Sequence, residues 1–274
     1  MLEIPEAFAR SKQLKTVIKG EIVTRVVSNA WPHKLTWFYE DPDAYENRLM
    51  GKQVTDVKPL AGLVEIYLQD MRLTLSDGVN IRLISPGEKE PVKHQLLLEF
   101  DSVKRLFFTV QMYGGIMAFK EGENKNPYYL VAGEKPSPLT DQFDFAYFKD
   151  LLNSETKNPS MKALLASEQR IPGLGNGVLQ DILYHAGLHP KRKLDTLAEG
   201  DVIRLFISIR DTLSEMAELG GRDTEKDIYG ASCGYQSRLS QRTVNQPCSK
   251  CKDSIRKESY MGGSIYYCGT CQPL

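Results

Sequence analysis

Apolar and polar positions along the chain follow two different periods, and the change between them falls near the middle. Residues 21 to about 120 carry short apolar runs at 22–27 (IVTRVV), 64–68 (VEIYL), 96–100 (LLLEF) and 106–110 (LFFTV). Turn signals such as Asp77-Gly78 and Pro86-Gly87 separate them. Short runs rich in β-branched and aromatic residues between turn residues predict strands, here of a sandwich or barrel. Residues 5–19 begin with Pro5 followed by acidic Glu6, which suits the first turn of a helix. From about 146 to 219 the apolar positions fall three or four apart, at 145–152, 162–165, 178–184 and 202–219, and this predicts helices. Residues 121–145 are polar and turn-prone and read as a hinge. The pattern predicts an α+β protein. An N-terminal helix plus β-sandwich domain is expected over 1–125, a linker over 126–145, a helical domain over 146–230 and a C-terminal ribbon over 231–274.

The cysteines change the picture of the C-terminal end. Cys248, Cys251, Cys268 and Cys271 form two C-x2-C pairs sixteen residues apart, while Cys233 stands alone. This spacing is that of a zinc site, and four thiolates close a tetrahedral shell, so one structural Zn2+ is expected. The competing reading is two disulfides. Cys233 reads as a bystander. Between the pairs, 254–260 and 264–267 read as two strands joined at Gly262-Gly263. A ribbon of this kind fits a DNA groove, and equally a folded tail without a partner.

Charge adds an asymmetry. Lys plus Arg number 35 and Asp plus Glu 35, giving a net charge of zero, which argues against a uniformly basic surface. Residues 228–274 hold Arg238, Arg242, Lys250, Lys252, Arg256 and Lys257 against Asp253 and Glu258, a local excess of +4 that favours a polyanionic partner. No apolar run reaches the roughly 18–20 residues of a membrane span. The N-terminus has no apolar signal region either, so a soluble intracellular protein is expected.

Residues 171–177, IPGLGNG, interrupt two helical stretches. Pro172 stops one helix, the glycines permit tight backbone, and Asn176 is placed to cap the next helix. Backbone N–H groups there would suit a phosphate, with Lys162 and 191–193 (KRK) nearby in sequence. An ordinary interhelical turn explains the same residues.

Three segments carry a resemblance: the opening LEIPE, the stretch 161–193 (MKALLASEQRIPGLGNGVLQDILYHAGLHPKRK), and the terminal CSKC…YYCGTCQ. Together they resemble the formamidopyrimidine-DNA glycosylase/endonuclease VIII family of base-excision repair enzymes. The resemblance implies an N-terminal helix with a β-sandwich, a helix–two-turn–helix domain and a zinc finger. It also implies DNA glycosylase/AP lyase chemistry on an extruded base, with an N-terminal proline amine as nucleophile and a neighbouring glutamate as acid/base. By motif, Glu3 falls at the acid/base position and Glu6 at the second acid of the opening. Lys162, Gly175 and Asn176 fall on the phosphate-gripping segment. The family's void-filling residues fall at Ser85, Met112 and Tyr113, of which only Tyr113 keeps a comparable wedge.

The departures bear on activity. Leu2 stands where the family has proline, Leu63 where it has the sandwich lysine, and Gly263 where it has the hairpin arginine. The expected function is a damaged-DNA or abasic-site binding protein of this family with weakened, altered or absent chemistry. One alternative is an active lyase that uses the Met1 amine or Lys58, with Glu3 as acid/base. The other is an RNA-binding module of a translation-type protein. A monomer in the bacterial cytosol or nucleoid, bound to double-stranded DNA and no membrane, completes the expectation.

Overall fold

A computed structural model describes residues 2–85 and 87–274. The Met1 amine and the Pro86-Gly87 turn signal therefore fall, in whole or in part, outside the described residues. Two compact units emerge, residues 1–130 with 217–234, and residues 131–216 with 235–274.

The first unit opens with helix α1 (Ile4–Ile18). Glu3 and Glu6 start it as a capping box, each carboxylate accepting from the other residue's backbone N–H, with Pro5 in the first turn. Its Ala7, Leu14 and Ile18 are fully buried and join the sandwich core. Strand β1 (Val23–Ser28) follows, then β2 (Thr36–Phe38), the short helix α2 (Tyr45–Leu49), and β3 (Val54–Leu60), β4 (Leu63–Leu68), β5 (Met71–Leu75), β6 (Val79–Ile84), β7 (Leu96–Phe100), β8 (Arg105–Val110) and β9 (Gly114–Lys120). They make a four-stranded sheet, β1-β7-β8-β6, and a five-stranded sheet, β2-β9-β5-β4-β3, in which only β2–β9 is parallel. All five residues of β5 are buried, as a strand covered on both faces requires. Pro59 is accommodated because β3 is an edge strand. At the β5–β6 turn, Gly78 has φ +80°, and a Cβ there would lie 1.6 Å from the Tyr113 carbonyl oxygen, so only glycine fits.

Helix α3 (Pro127–Glu134) spans the boundary between the two units along the chain and occupies part of the stretch read as a hinge. Its proline start and the apolar Tyr-Tyr-Leu-Val run give it helical character that a scan for polarity overlooks. Helices α4 (Phe145–Asn153), α5 (Met161–Ala166), α6 (Leu179–Ala186) and α7 (Glu199–Glu218) follow. Phe143, Phe148 and Phe206 pack ring against ring between them. The ribbon is β10 (Ile255–Tyr260) paired with β11 (Gly263–Cys268). Its turn is Met261-Gly262, both at positive φ (49° and 70°), so Gly263 is the first residue of β11 and not part of the turn. None of the described helices is long and apolar enough to cross a membrane.

Candidate nucleic-acid interface and acidic site

In the second unit, α5 and α6 bring their polar residues onto the ribbon. Ser160 caps α5, its hydroxyl accepting from the Ala163 N–H at 3.3 Å, and this sets Lys162 in the first turn. Lys162 is 6% exposed and its Nζ donates to the Tyr260 carbonyl at 2.6 Å. Burial pulls its ammonium below the usual lysine range. It has no carboxylate partner among the described residues.

Asn176 does not cap α6 as the sequence suggests. The helix starts later, its N-cap is Val178 with no side-chain cap bond, and the Asn176 carboxamide donates to the Ser264 carbonyl at 3.0 Å. Gly175 precedes it in the turn, its carbonyl accepting from the Leu179 N–H. A Cβ on Gly263 would lie 3.3 Å from Lys162 Nζ and 3.7 Å from Asn176 Nδ2. Lys162, Asn176 and Gly263 thus meet at one place.

Two anchors of this arrangement escape sequence reading. Gln180 accepts from the Tyr266 N–H at 2.9 Å, and the buried Asp181 accepts from the Arg238 and Leu239 N–H groups at 2.8 and 2.7 Å. A polar pair in the otherwise apolar face of α6 was the available signal.

The four paired cysteines converge. Their Sγ atoms all lie within 4.8 Å of one another, with Cys248–Cys271 at 3.8 Å and Cys251–Cys268 at 3.4 Å. All are free thiols, which removes the disulfide reading, and the set can hold a metal ion. The Tyr184 hydroxyl lies 3.2 Å from Cys248 Sγ and orients it from α6.

In the first unit, Glu3 and Glu6 are buried at the start of α1, at 3% and 0% exposure. Both face Arg222. Its Nε and Nη2 donate to the two Glu6 oxygens at 3.0 Å each, its backbone N–H donates to Glu6 Oε1 at 3.0 Å, and its Nη1 stands 3.6 Å from Glu3 Oε1. Burial alone would raise the Glu6 carboxyl, but the Arg222 charge and hydrogen bonds outweigh it and hold the carboxyl below its ordinary value. The Arg222 guanidinium is pushed up in turn, burial opposing and the two glutamates prevailing.

The neighbours complete this clamp. Gly220 and Gly221 take positive φ, and a Cβ on Gly221 would meet Glu6 Cγ at 3.1 Å. Arg10 donates to the Gly220 carbonyl at 3.1 Å and to Cys233 Sγ at 3.4 Å. Cys233, read as a bystander, is therefore a buried acceptor within this clamp, its thiol raised by burial. Arg222 is the residue sequence reading missed, and Gly-Gly followed by arginine was its one visible trace.

Leu2 is 5% exposed and belongs to the sandwich core. Lys58 is exposed on β3, with Nζ 3.7 Å from Asp56 and over the Tyr67 ring at 4.9 Å. Its recorded partners are these, and none is Glu3 or Glu6. Leu63 begins β4, half-buried opposite Leu60. Tyr113 is half-exposed and donates to Asp77 Oδ2 at 3.0 Å. Burial and the Asp77 charge raise its hydroxyl, and the Glu3 charge adds to this. Ser85 lies just beyond β6, where its carbonyl accepts from Arg105.

A two-sheet sandwich, a helical unit with a two-turn connection before α6, and a four-cysteine ribbon together make a helix–two-turn–helix fold with a C-terminal ribbon. The model of the formamidopyrimidine-DNA glycosylase H2TH domain matches residues 135–227. Over 279 residues the chain is 23% identical to a formamidopyrimidine-DNA glycosylase of Bacillus cereus, covering 100% of this chain and 99% of that one. The Thermus thermophilus enzyme is 26% identical over 290 residues, covering 99% and 98%. The crystal structure of MutM (Fpg) from Thermus thermophilus superposes with a TM-score of 0.82 at 23% identity, covering 98% of each chain. That of Lactococcus lactis Fpg, solved with DNA containing an abasic site, superposes at 0.85 and 22%, covering 99% and 100%. Over its full length the chain is thus similar to formamidopyrimidine-DNA glycosylases (Fpg/MutM) in sequence and in fold.

Proposed function

We propose that the protein binds duplex DNA at lesions or abasic sites, with the family's glycosylase/lyase chemistry weakened or absent. One observation carries the binding half. Among the described residues, Lys162 is a buried cation whose one hydrogen-bond partner is a carbonyl. An ammonium taken out of water without a counter-charge is costly, and a phosphate oxygen meeting its remaining N–H groups relieves that cost. Asn176 beside it supplies a second donor, and the Lactococcus lactis relative was crystallised on abasic-site DNA. Gly263 brings no guanidinium, so the grip is made by fewer charges.

The burial of Leu2 supports the chemical half. A side chain packed in the sandwich core cannot stand in for a secondary amine facing a sugar. Glu6 is engaged by Arg222 through both oxygens, and Glu3 faces the same guanidinium, which favours an ion-paired structural role over proton shuttling. For the cysteine cluster we assign a structural zinc. Zn–S bonds of about 2.3 Å place tetrahedral sulfurs about 3.8 Å apart, close to the distances found, and four thiolates leave no open position.

The test is fluorescence anisotropy of labelled duplexes with and without a tetrahydrofuran abasic analogue. Preference for the abasic duplex, lost in Lys162→Ala, supports the reading. Equal or absent binding of both duplexes overturns it.

A further inference from the structure

The first unit carries an exposed aromatic pair: Tyr113, at the position matched to the family's wedge, and Trp37, to which that match gives no task. Trp37 in β2 is 51% exposed, and its ring contacts Tyr113 with centroids 5.9 Å apart and planes tilted 47°. The strand register sets Trp37 opposite Gly115, which has no side chain to cover the indole. A Cβ on Gly115 would lie 2.9 Å from Ser76 Oγ, which accepts from the Gly115 N–H at 2.7 Å, and 3.2 Å from Met117 Cε.

Tyr113 is fixed from two sides. Its hydroxyl is tied to Asp77, and its carbonyl lies so close over Gly78 that no Cβ fits between them. The indole therefore rests on a ring that is held in place, and little conformational freedom remains to be lost when something stacks on it. The loop leading into β2 adds an exposed cation, Lys34, three residues away. An open aromatic face, a rigid support and a nearby cation suit a nucleobase with its phosphate. Two rings are far smaller than the roughly 800 Å² per partner of a stable protein interface.

We propose that Trp37 is a base-stacking platform that receives the face of an unpaired base in bound DNA, with Tyr113 as its fixed support. This rests on the DNA-binding reading above and adds the feature recognised, a base released from its pair. Stacking on an aromatic side chain tolerates any base, so the platform selects for lack of pairing rather than for sequence.

The chain has only two tryptophans, so Trp31→Phe leaves Trp37 as the single reporter. Titrating that variant with the abasic duplex should quench its emission in step with binding, and a fully paired duplex should quench it less. In the otherwise native protein, Trp37→Ala should weaken abasic-duplex binding by about 5- to 150-fold, the ratio expected for losing one stacked base. Trp37→Phe should restore most of it. Unchanged emission at saturating DNA, equal quenching by paired duplex, or Trp37→Ala binding within about twofold of wild type would each overturn the platform while leaving DNA binding intact. Failure of the wild-type protein to bind either duplex would overturn the DNA reading as well. Should Trp37→Ala not fold, the emission titration and Trp37→Phe still decide the matter.

Discussion

Replacing Arg222 by methionine removes the cation that faces Glu3 and Glu6. Methionine roughly keeps the length of the side chain, so the main loss is electrostatic. Two side-chain hydrogen bonds to Glu6 at 3.0 Å and the 3.6 Å approach to Glu3 disappear, while the backbone N–H of residue 222 can still donate to Glu6. Two carboxylates at 3% and 0% exposure lose the guanidinium that faces both of them. Breaking a buried ion pair by removing one partner costs about 3–5 kcal/mol, and a second stranded carboxylate places this site toward the upper end.

The pH dependence gives the loss a signature. Glu6 in the native protein is held below its ordinary value of 4.5. Its contribution is therefore complete above that value and is lost as pH falls through the lower folded value. In Arg222→Met burial, which raises the carboxyl, loses its main opponent, so the variant recovers as acid neutralises it. The gap between the two proteins should be widest near about pH 7.5 and shrink toward about pH 4. Urea unfolding followed by tryptophan emission measures it, because Trp31 and Trp37 both lie in the first unit. A gap below about 1 kcal/mol near neutral pH, or one that does not narrow in acid, would refute the account of this cluster.

Lys162→Ala should weaken DNA binding and make its salt dependence shallower by about one phosphate, measured as the slope of log K against log salt; an unchanged slope would remove Lys162 from the interface. Cys268→Ser should lower bound zinc from about one equivalent to near zero by elemental analysis and loosen the ribbon. Full zinc retention would show that the four thiolates are not the ligands. Gly78→Ala should destabilise the first unit by about 3 kcal/mol or more, since a positive-φ position is combined with a 1.6 Å clash against the Tyr113 carbonyl. A stability loss under about 1 kcal/mol in urea unfolding would contradict that geometry.

Local patterns reached the sequence clearly where burial imposes a period. Strands β1, β4, β7 and β8 coincide with the apolar runs, and α4 to α7 with the helical spacing, because each buries one face or both. Elements whose burial is partial left weaker traces: β3 has a proline at a sheet edge, and α3 hides in a polar stretch. The ribbon was legible but its turn was off by one residue. Two adjacent glycines cannot tell which residue adopts positive φ, and Met261 takes a conformation unusual for its type.

The cysteine cluster was fully legible, since ligand spacing is a local property. The clamp on α1 was not. Arg222 meets Glu6 across 216 residues of chain, and a lone arginine carries no periodic signal to mark such a contact. The cap expected of Asn176 is instead a cross-link to Ser264, because both place the same demand on residue type.

The central claim is a repair-family frame that holds damaged DNA without forming the family's covalent intermediate. It is tested most directly by incubating the protein with a natural abasic-site duplex and cyanoborohydride, then resolving the same reaction on native and denaturing gels. A retarded complex on the native gel with no covalent band on the denaturing gel is the predicted result. A trapped adduct would show a working amine nucleophile despite the buried Leu2, and would contradict the account.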